Sequence, residues 1–133
     1  MPPSPISVLV VDDHAVVREA VSDLVAATAG LAVWGTAVSG DDALAQLERT
    51  GSVEADRIDG PIVVVTDVQI PGMNGLELVA EVCSRWPSLP CLVISAKQEY
   101  ASLATVAGAV GFIEKGDPAG LIAAVFRAGA GAE

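Results

Sequence analysis

Ile62-Val63-Val64-Val65-Thr66-Asp67-Val68-Gln69-Ile70-Pro71-Gly72-Met73-Asn74-Gly75 decides the fold. Four consecutive aliphatic residues without polar alternation predict a strand covered on both faces, as in the middle of a parallel sheet. That strand stops at Asp67. The turn formers Pro71-Gly72 and Asn74-Gly75 then take the backbone out of the sheet just past the carboxylate. In open α/β sheets, sites form in the crevice beyond the carboxyl ends of the strands, near the reversal of strand order. Asp67 is therefore placed for chemistry.

Upstream of this stretch, Ile6–Val11 reads as a short aliphatic strand ending at Asp12-Asp13-His14. Val17, Ala20, Val21, Leu24 and Val25 then fall on one face of a helix that Gly30 is positioned to stop. Leu31–Ala37 reads as a second strand. Ser39-Gly40-Asp41-Asp42 has the cap and acidic first turn of a helix start, with Ala43, Leu44 and Leu47 as its apolar face. The polar stretch from Thr50 to Gly60 reads as a connecting loop.

Downstream, Asn74 and Glu77 form a capping pattern for a third helix, with Leu76, Val79, Val82, Cys83 and Trp86 as its buried side and Pro87 as its close. Pro90–Ile94 is a fourth strand, stopping at Ser95-Ala96-Lys97. A fourth helix from Glu99 to Ala107 has a thin apolar face of Leu103 and Val106. Gly111–Ile113 is a fifth strand that ends at Glu114-Lys115. Asp117-Pro118 starts a fifth helix whose buried side is Leu121, Ile122, Val125 and Phe126. Residues 129–133 read as a linker or frayed end, and residues 1–5, with three prolines, as a disordered lead segment. Five alternations of strand and helix with short connections predict one α/β domain over residues 6–128, a doubly wound five-stranded parallel sheet with helices on both faces.

Composition narrows the function. The chain has 133 residues, enough for one domain with a single core, and 52% of them are hydrophobic with a mean hydropathy of +0.55. No apolar run approaches the roughly 20 residues that cross a bilayer. The first residues lack the basic start of a secretory signal, and Cys83 and Cys91 lack the number and spacing of a disulfide framework or metal knuckle. These features predict a cytoplasmic protein with no membrane segment. A net charge of −10 argues against direct nucleic-acid binding by this chain.

If strands one and three are neighbours, Asp12, Asp13 and Asp67 converge at one edge of the sheet. Three carboxylates so close repel unless protons or a cation intervene. Oxygen-only ligation suits a hard divalent ion such as Mg²⁺, which needs only one or two carboxylates because it keeps several waters. The other strand ends supply a hydroxyl at Ser95 and a cation at Lys115, groups that hold phosphoryl oxygens. Singly, these residues have ordinary roles as a helix cap, a loop hydroxyl and a solvated charge. Together, at four strand ends, they describe a phosphoryl-transfer site with a carboxylate nucleophile.

The chain resembles the receiver domains of two-component response regulators. The carrying motifs are Val10-Val11-Asp12-Asp13-His14, Asp67 with Ile70-Pro71-Gly72-Met73-Asn74-Gly75, Ser95-Ala96, and Gly111-Phe112-Ile113-Glu114-Lys115. The resemblance implies a flavodoxin-like strand order 2-1-3-4-5. It also implies phosphorylation of Asp67 by a sensor histidine kinase. Asp13, Asp67 and the Gln69 carbonyl would ligate Mg²⁺ directly, and Asp12 through a water. Lys115 would pair with the acyl phosphate, and Ser95 and Phe112 would be switch residues. Phe112 also reads simply as core. Asp-Asp-His followed by Ala15-Val16-Val17-Arg18-Glu19 is similar to the LuxR/NarL-type subgroup, whose receivers precede a helix-turn-helix DNA-binding domain absent from this chain. The implied function is a transcription-linked switch in a phosphorelay, with homodimerisation on phosphorylation through helix four, strand five and helix five. No enzymatic activity beyond self-phosphorylation and autodephosphorylation is implied. The alternative is a single-domain or phosphorylation-independent receiver that acts by binding a protein. Thr66, Gln69 and Lys97 depart from or vary within the family pattern around the site. Two other classes fit less well. A hydrolase using an aspartyl-phosphate needs an acid/base carboxylate where Gln69 stands, and a flavodoxin-type cofactor carrier needs a phosphate loop where Asp12-Asp13 would repel the phosphate.

Overall fold

Hydrophobic alternation in the central strands builds two cores, one on each face of a five-stranded parallel sheet. The computed structural model describes residues 4–50 and 61–131. In chain order the elements are β1 (Ile6–Val11), α1 (Ala15–Ala26), β2 (Leu31–Ala37), α2 (Gly40–Thr50), β3 (Ile62–Asp67), α3 (Gly75–Arg85), β4 (Cys91–Ser95), α4 (Ala101–Ala107), β5 (Gly111–Glu114) and α5 (Pro118–Gly131). A 3₁₀ turn, Gln98–Tyr100, precedes α4. The strand order is β2-β1-β3-β4-β5, as expected.

Every residue of β3 is buried. Leu9, Val11, Ile62 and Val64 point into a core closed by Leu44 and Leu47 of α2, Leu78, Val79 and Val82 of α3, and Ala104 of α4. Their neighbours Val8, Val10, Val63 and Val65 point the other way, against Val25 of α1 and Leu121, Ala124, Val125 and Ala128 of α5. Period-two alternation thus persists in strands buried on both sides, where it chooses a core rather than separating inside from outside.

Caps set the helix starts. Ser39 Oγ accepts the Asp42 N–H at 3.1 Å at the head of α2, and Asp117 Oδ1 accepts the Gly120 N–H at 3.0 Å at the head of α5. At α3, Asn74 Oδ1 accepts the Glu77 N–H at 2.9 Å while Glu77 Oε1 accepts the Asn74 N–H at 2.8 Å, a reciprocal capping box. Asn74→Ala removes one half of it, and a loss of about 1 kcal/mol is expected in urea unfolding. Arg85, in the last turn of α3, forms ion pairs with Glu48 of α2 and Glu81.

Several expectations change. The Gly30 stop comes late: α1 ends at Ala26 with Ala27 as its cap, while Gly30, with φ +91°, serves the turn into β2. The α4 face is inverted. Ala104 is buried, and Leu103 and Val106 point outward, with Val106 84% exposed. On α3, Leu78 rather than Leu76 is fully buried, because Gly75 packs against the end of β3 and fixes the rotation of the helix.

On α5, the small residues Ala124, Ala128 and Gly129 face the sheet, and Phe126 is partly exposed beside Gly30. The expected linker from Gly129 is instead the last turn of α5 through Gly131. Gly129 is buried there because a Cβ at that position would lie 2.5 Å from the side chain of Ile6, so only glycine lets the helix approach β1. The expected loop at Thr50 begins inside α2. The rest of that loop, and the expectations for residues 1–3 and 132–133, lie outside the described residues. Among the described residues, no helix is long and apolar enough to cross a membrane.

Candidate functional site

Strand register brings the carboxylates together. Val11 of β1 is level with Thr66 of β3, so the next residues, Asp12 and Asp67, emerge side by side at the carboxyl end of the sheet. On the other flank, Asp67 is level with Ile94, and Ser95 with Glu114, which places Ser95 and Lys115 one step further out on β4 and just past β5. Asp12 and Asp67 are both buried, at 4% and 5% exposure.

Each buried carboxylate has partners. Lys115 Nζ lies 2.9 Å from Asp67 Oδ2, an ion pair whose lysine is partly exposed. The Gln69 N–H is directed at Asp67 Oδ1 from 3.4 Å, at the long edge of a hydrogen bond. Asp12 Oδ1 accepts the His14 N–H at 2.9 Å and lies 3.2 Å from His14 Nδ1. Asp13 lies further out, with its Oδ1 3.3 Å from the same imidazole nitrogen. Arg18, one turn into α1, donates from Nη1 to the Asp12 carbonyl at 2.9 Å and ties that helix to the loop.

One ligand atom from each of Asp12, His14 and Asp67 can be chosen so that all three lie within 4.8 Å of one another. Asp13 is not in that set. Two carboxylates and an imidazole so disposed could hold a divalent cation, with the carboxylate oxygens supplying hard donors for Mg²⁺. Ser95 is buried at the rim, and its Oγ accepts the Lys97 N–H at 3.0 Å. Phe112 is half-buried and packs against the core under α2, α3 and α4, level with Val93 of β4.

Two residues that shape the site had little chemical signal in the sequence. Thr66 is fully buried and satisfies its hydroxyl by donating to the Asp67 carbonyl at 2.8 Å. Its only signal was a polar residue in an aliphatic run. Gly75 folds the loop back onto the strand: its N–H donates to the Val68 carbonyl at 2.7 Å, and a Cβ there would stand 2.0 Å from the Asp67 carbonyl oxygen. In the sequence it stood out as a turn residue and as the end of a family motif, neither of which announces this close approach.

The geometry has known counterparts. A family model described as the response regulator receiver domain matches residues 8–126. The chain is 39% identical over 112 residues to the DNA-binding transcriptional activator DevR/DosR of Mycobacterium tuberculosis, covering 83% of this chain and 48% of that protein. It is 36% identical over 113 residues to the response regulator GacA of Pseudomonas aeruginosa, covering 84% and 49%. It thus spans about half the length of these curated relatives. Among solved structures, a LuxR-family two-component response regulator from Aurantimonas sp. SI85-9A1 superposes with a TM-score of 0.83 at 30% identity, over 96% of this chain and 87% of the other. The signal receiver domain of the response regulator NarL from Mycobacterium tuberculosis gives 0.81 at 28% identity, over 97% and 99%.

Proposed function

Because the chain belongs to the response regulator receiver domain family, we propose that it is a phosphorylation-controlled switch of a cytoplasmic two-component pathway, with Asp67 accepting the phosphoryl group of a phosphohistidine on a sensor histidine kinase. The observation that carries this reading is the Asp67 carboxylate itself, buried at the end of the central strand with one oxygen paired to Lys115 and the Asp12–His14 pair beside it. An Asp67 oxygen attacks phosphorus, the phosphorus–nitrogen bond breaks, and the departing imidazole keeps the electron pair. Mg²⁺, for which Asp12, Asp13, Asp67 and the Gln69 carbonyl are the proposed ligands, supplies neutralisation of the charge on the transferring group when bound. Lys115 then exchanges its contact with Asp67 for one with a phosphoryl oxygen.

The switch follows from hydrogen bonding. A phosphoryl oxygen is a stronger acceptor than anything Ser95 now faces, so its hydroxyl turns toward the site as a donor. Space opened there lets the Phe112 ring move inward, and the faces of α4 and β5 change. Leu103, Val106 and Val110 are exposed on α4 and the turn into β5. We assign that side, with α5, to homodimerisation. Relatives named as a DNA-binding activator and as a LuxR-family regulator support transcription as the controlled output, through a DNA-binding part distinct from this acidic domain. The same apolar face would also serve a receiver that acts by protein binding without phosphorylation.

Incubation with acetyl phosphate and Mg²⁺, read by intact-protein mass, tests the proposal. One added phosphoryl group is expected, absent when a chelator removes the cation. If the mass does not change and beryllofluoride also fails to bind, the phosphorylation switch is wrong and the protein-binding alternative stands.

A further inference from the structure

Thr66 places a hydroxyl in an otherwise aliphatic strand, fully buried, one residue before Asp67. Val64, two residues earlier, lies in the core under α2, α3 and α4, so the alternation of the strand turns Thr66 toward that same core. Level with it are Val11 of β1 and Val93 of β4, both buried on that face. Neither carries a polar side-chain atom. As packing, an aliphatic residue would suit the position, because a hydroxyl taken out of water destabilises the fold unless it finds a hydrogen bond. The bond Thr66 makes is to the carbonyl of the very next residue, Asp67, at 2.8 Å.

That carbonyl stands at the root of the loop that leaves β3. Gly75 packs against the same oxygen, close enough that a Cβ would stand 2.0 Å from it, and the Gly75 N–H holds the Val68 carbonyl at 2.7 Å. The Gln69 N–H turns back toward Asp67 Oδ1, but from 3.4 Å it restrains the loop weakly, and Gln69 is exposed. The segment from Asp67 to Gln69 is thus anchored at its root by the Thr66 hydroxyl and Gly75, and loosely at its tip.

We propose that Thr66 is a positioning residue for the cation site, whose hydroxyl fixes the rotation of the Asp67–Val68 peptide and, through it, the place of the Gln69 carbonyl beside the Asp67 carboxylate. The role rests on the assignment of those two groups as Mg²⁺ ligands. A turn about the Asp67 Cα–C bond swings the held carbonyl, Val68 and Gln69 together, while the carboxylate on the other side of that bond stays in place. The hydroxyl therefore governs the relative position of two ligands without touching either. Mg²⁺ demands near-ideal octahedral geometry at about 2.1 Å, so a loop that must first be ordered weakens its binding. Threonine is suited to the task because its β-branch stiffens χ1, and packing of the methyl group aims the hydroxyl.

Two substitutions separate positioning from packing. Thr66→Val keeps the branched shape and removes the donor, whereas Thr66→Ser keeps the donor and removes a buried methyl group. Calorimetric titration of the full chain with Mg²⁺ should give Thr66→Ser an affinity within about twofold of wild type despite a lower Tm, and Thr66→Val an affinity about fivefold weaker, the equivalent of one neutral hydrogen bond. Phosphoryl uptake from acetyl phosphate should be slower in Thr66→Val at low Mg²⁺ and reach the wild-type rate at saturating Mg²⁺, since the nucleophile itself is unmoved. In cation-free protein, the Val68 and Gln69 amides should exchange faster in Thr66→Val than in wild type.

Wild-type Mg²⁺ affinity in Thr66→Val, or an affinity that follows Tm across the series rather than the presence of the hydroxyl, would overturn the role of Thr66 and leave the cation site standing. A wild type that binds no Mg²⁺ would overturn the cation assignment itself, and the positioning role with it.

Discussion

Replacing Asp67 with asparagine is expected to abolish phosphoryl uptake outright and to remove most of the stabilisation that Mg²⁺ confers. The side chains have nearly the same shape, and the amide oxygen can still accept from Lys115, so the fold should persist. What disappears is the anionic oxygen, which in the proposed function is both the nucleophile and a hard ligand. A cation held at 100 times its dissociation constant stabilises the folded state by about 2.7 kcal/mol, which for a domain of this size raises Tm by about 10 °C. Wild type should show that rise in a thermal melt with and without Mg²⁺, and Asp67→Asn little of it. A variant that still gains a phosphoryl group would move the acceptor to another residue. One that keeps the full Mg²⁺ shift would take Asp67 out of the cation site.

Gly75→Ala should be the most damaging single-methyl change next to the site. Its Cβ would stand 2.0 Å from the Asp67 carbonyl oxygen, 2.8 Å from the Asp67 carbonyl carbon and 2.9 Å from the Val68 Cα. All three atoms are backbone, so no rotamer relieves the clash, and either β3 or the start of α3 must shift. Overpacking of this kind costs about 3 kcal/mol, or about 10 °C in Tm. Because the displaced carbonyl belongs to the proposed phosphoacceptor, Asp67, the rate of phosphorylation should fall as well. Gly116→Ala is the control. Nothing lies within 4 Å of its added Cβ, but its φ of +90° leaves a backbone cost of about 1–2 kcal/mol. Equal destabilisation by the two variants would mean that conformation, not close approach, explains Gly75.

The sheet was legible because its strands are short and aliphatic and stop at polar residues. Asp12, Asp67, Ser95 and Lys115 all lie at such stops, so the convergence of the site followed from topology. Helix rotation was harder to read. On α5, Phe126 and Ile122 look like core by hydrophobicity alone, yet Ala124, Ala128 and Gly129 face the sheet because small side chains let the helix come closer. Leu103 and Val106 misled in the same way, since apolar character suggests burial and α4 buries Ala104 instead. The imidazole between Asp12 and Asp13 was also illegible. His14 stands at the start of α1, and its ring direction depends on loop conformation rather than on spacing.

The thin attachment of α1 has a consequence for hydrogen exchange. Of its twelve residues only Val25 is fully buried, its first turn has no acidic residue, its last turn has no basic one, and no side chain caps its start. The strand it follows is buried from Ser7 to Val11. Amide protons of α1 should therefore exchange by local opening at a free energy well below that of global unfolding, while those of β1 and β3 wait for the whole domain to open. The Asp12–His14 loop joins the slowest-exchanging part of the molecule to one of the fastest. Solvent deuterons would reach His14 and the residues after it long before they reach the strand that carries Asp12.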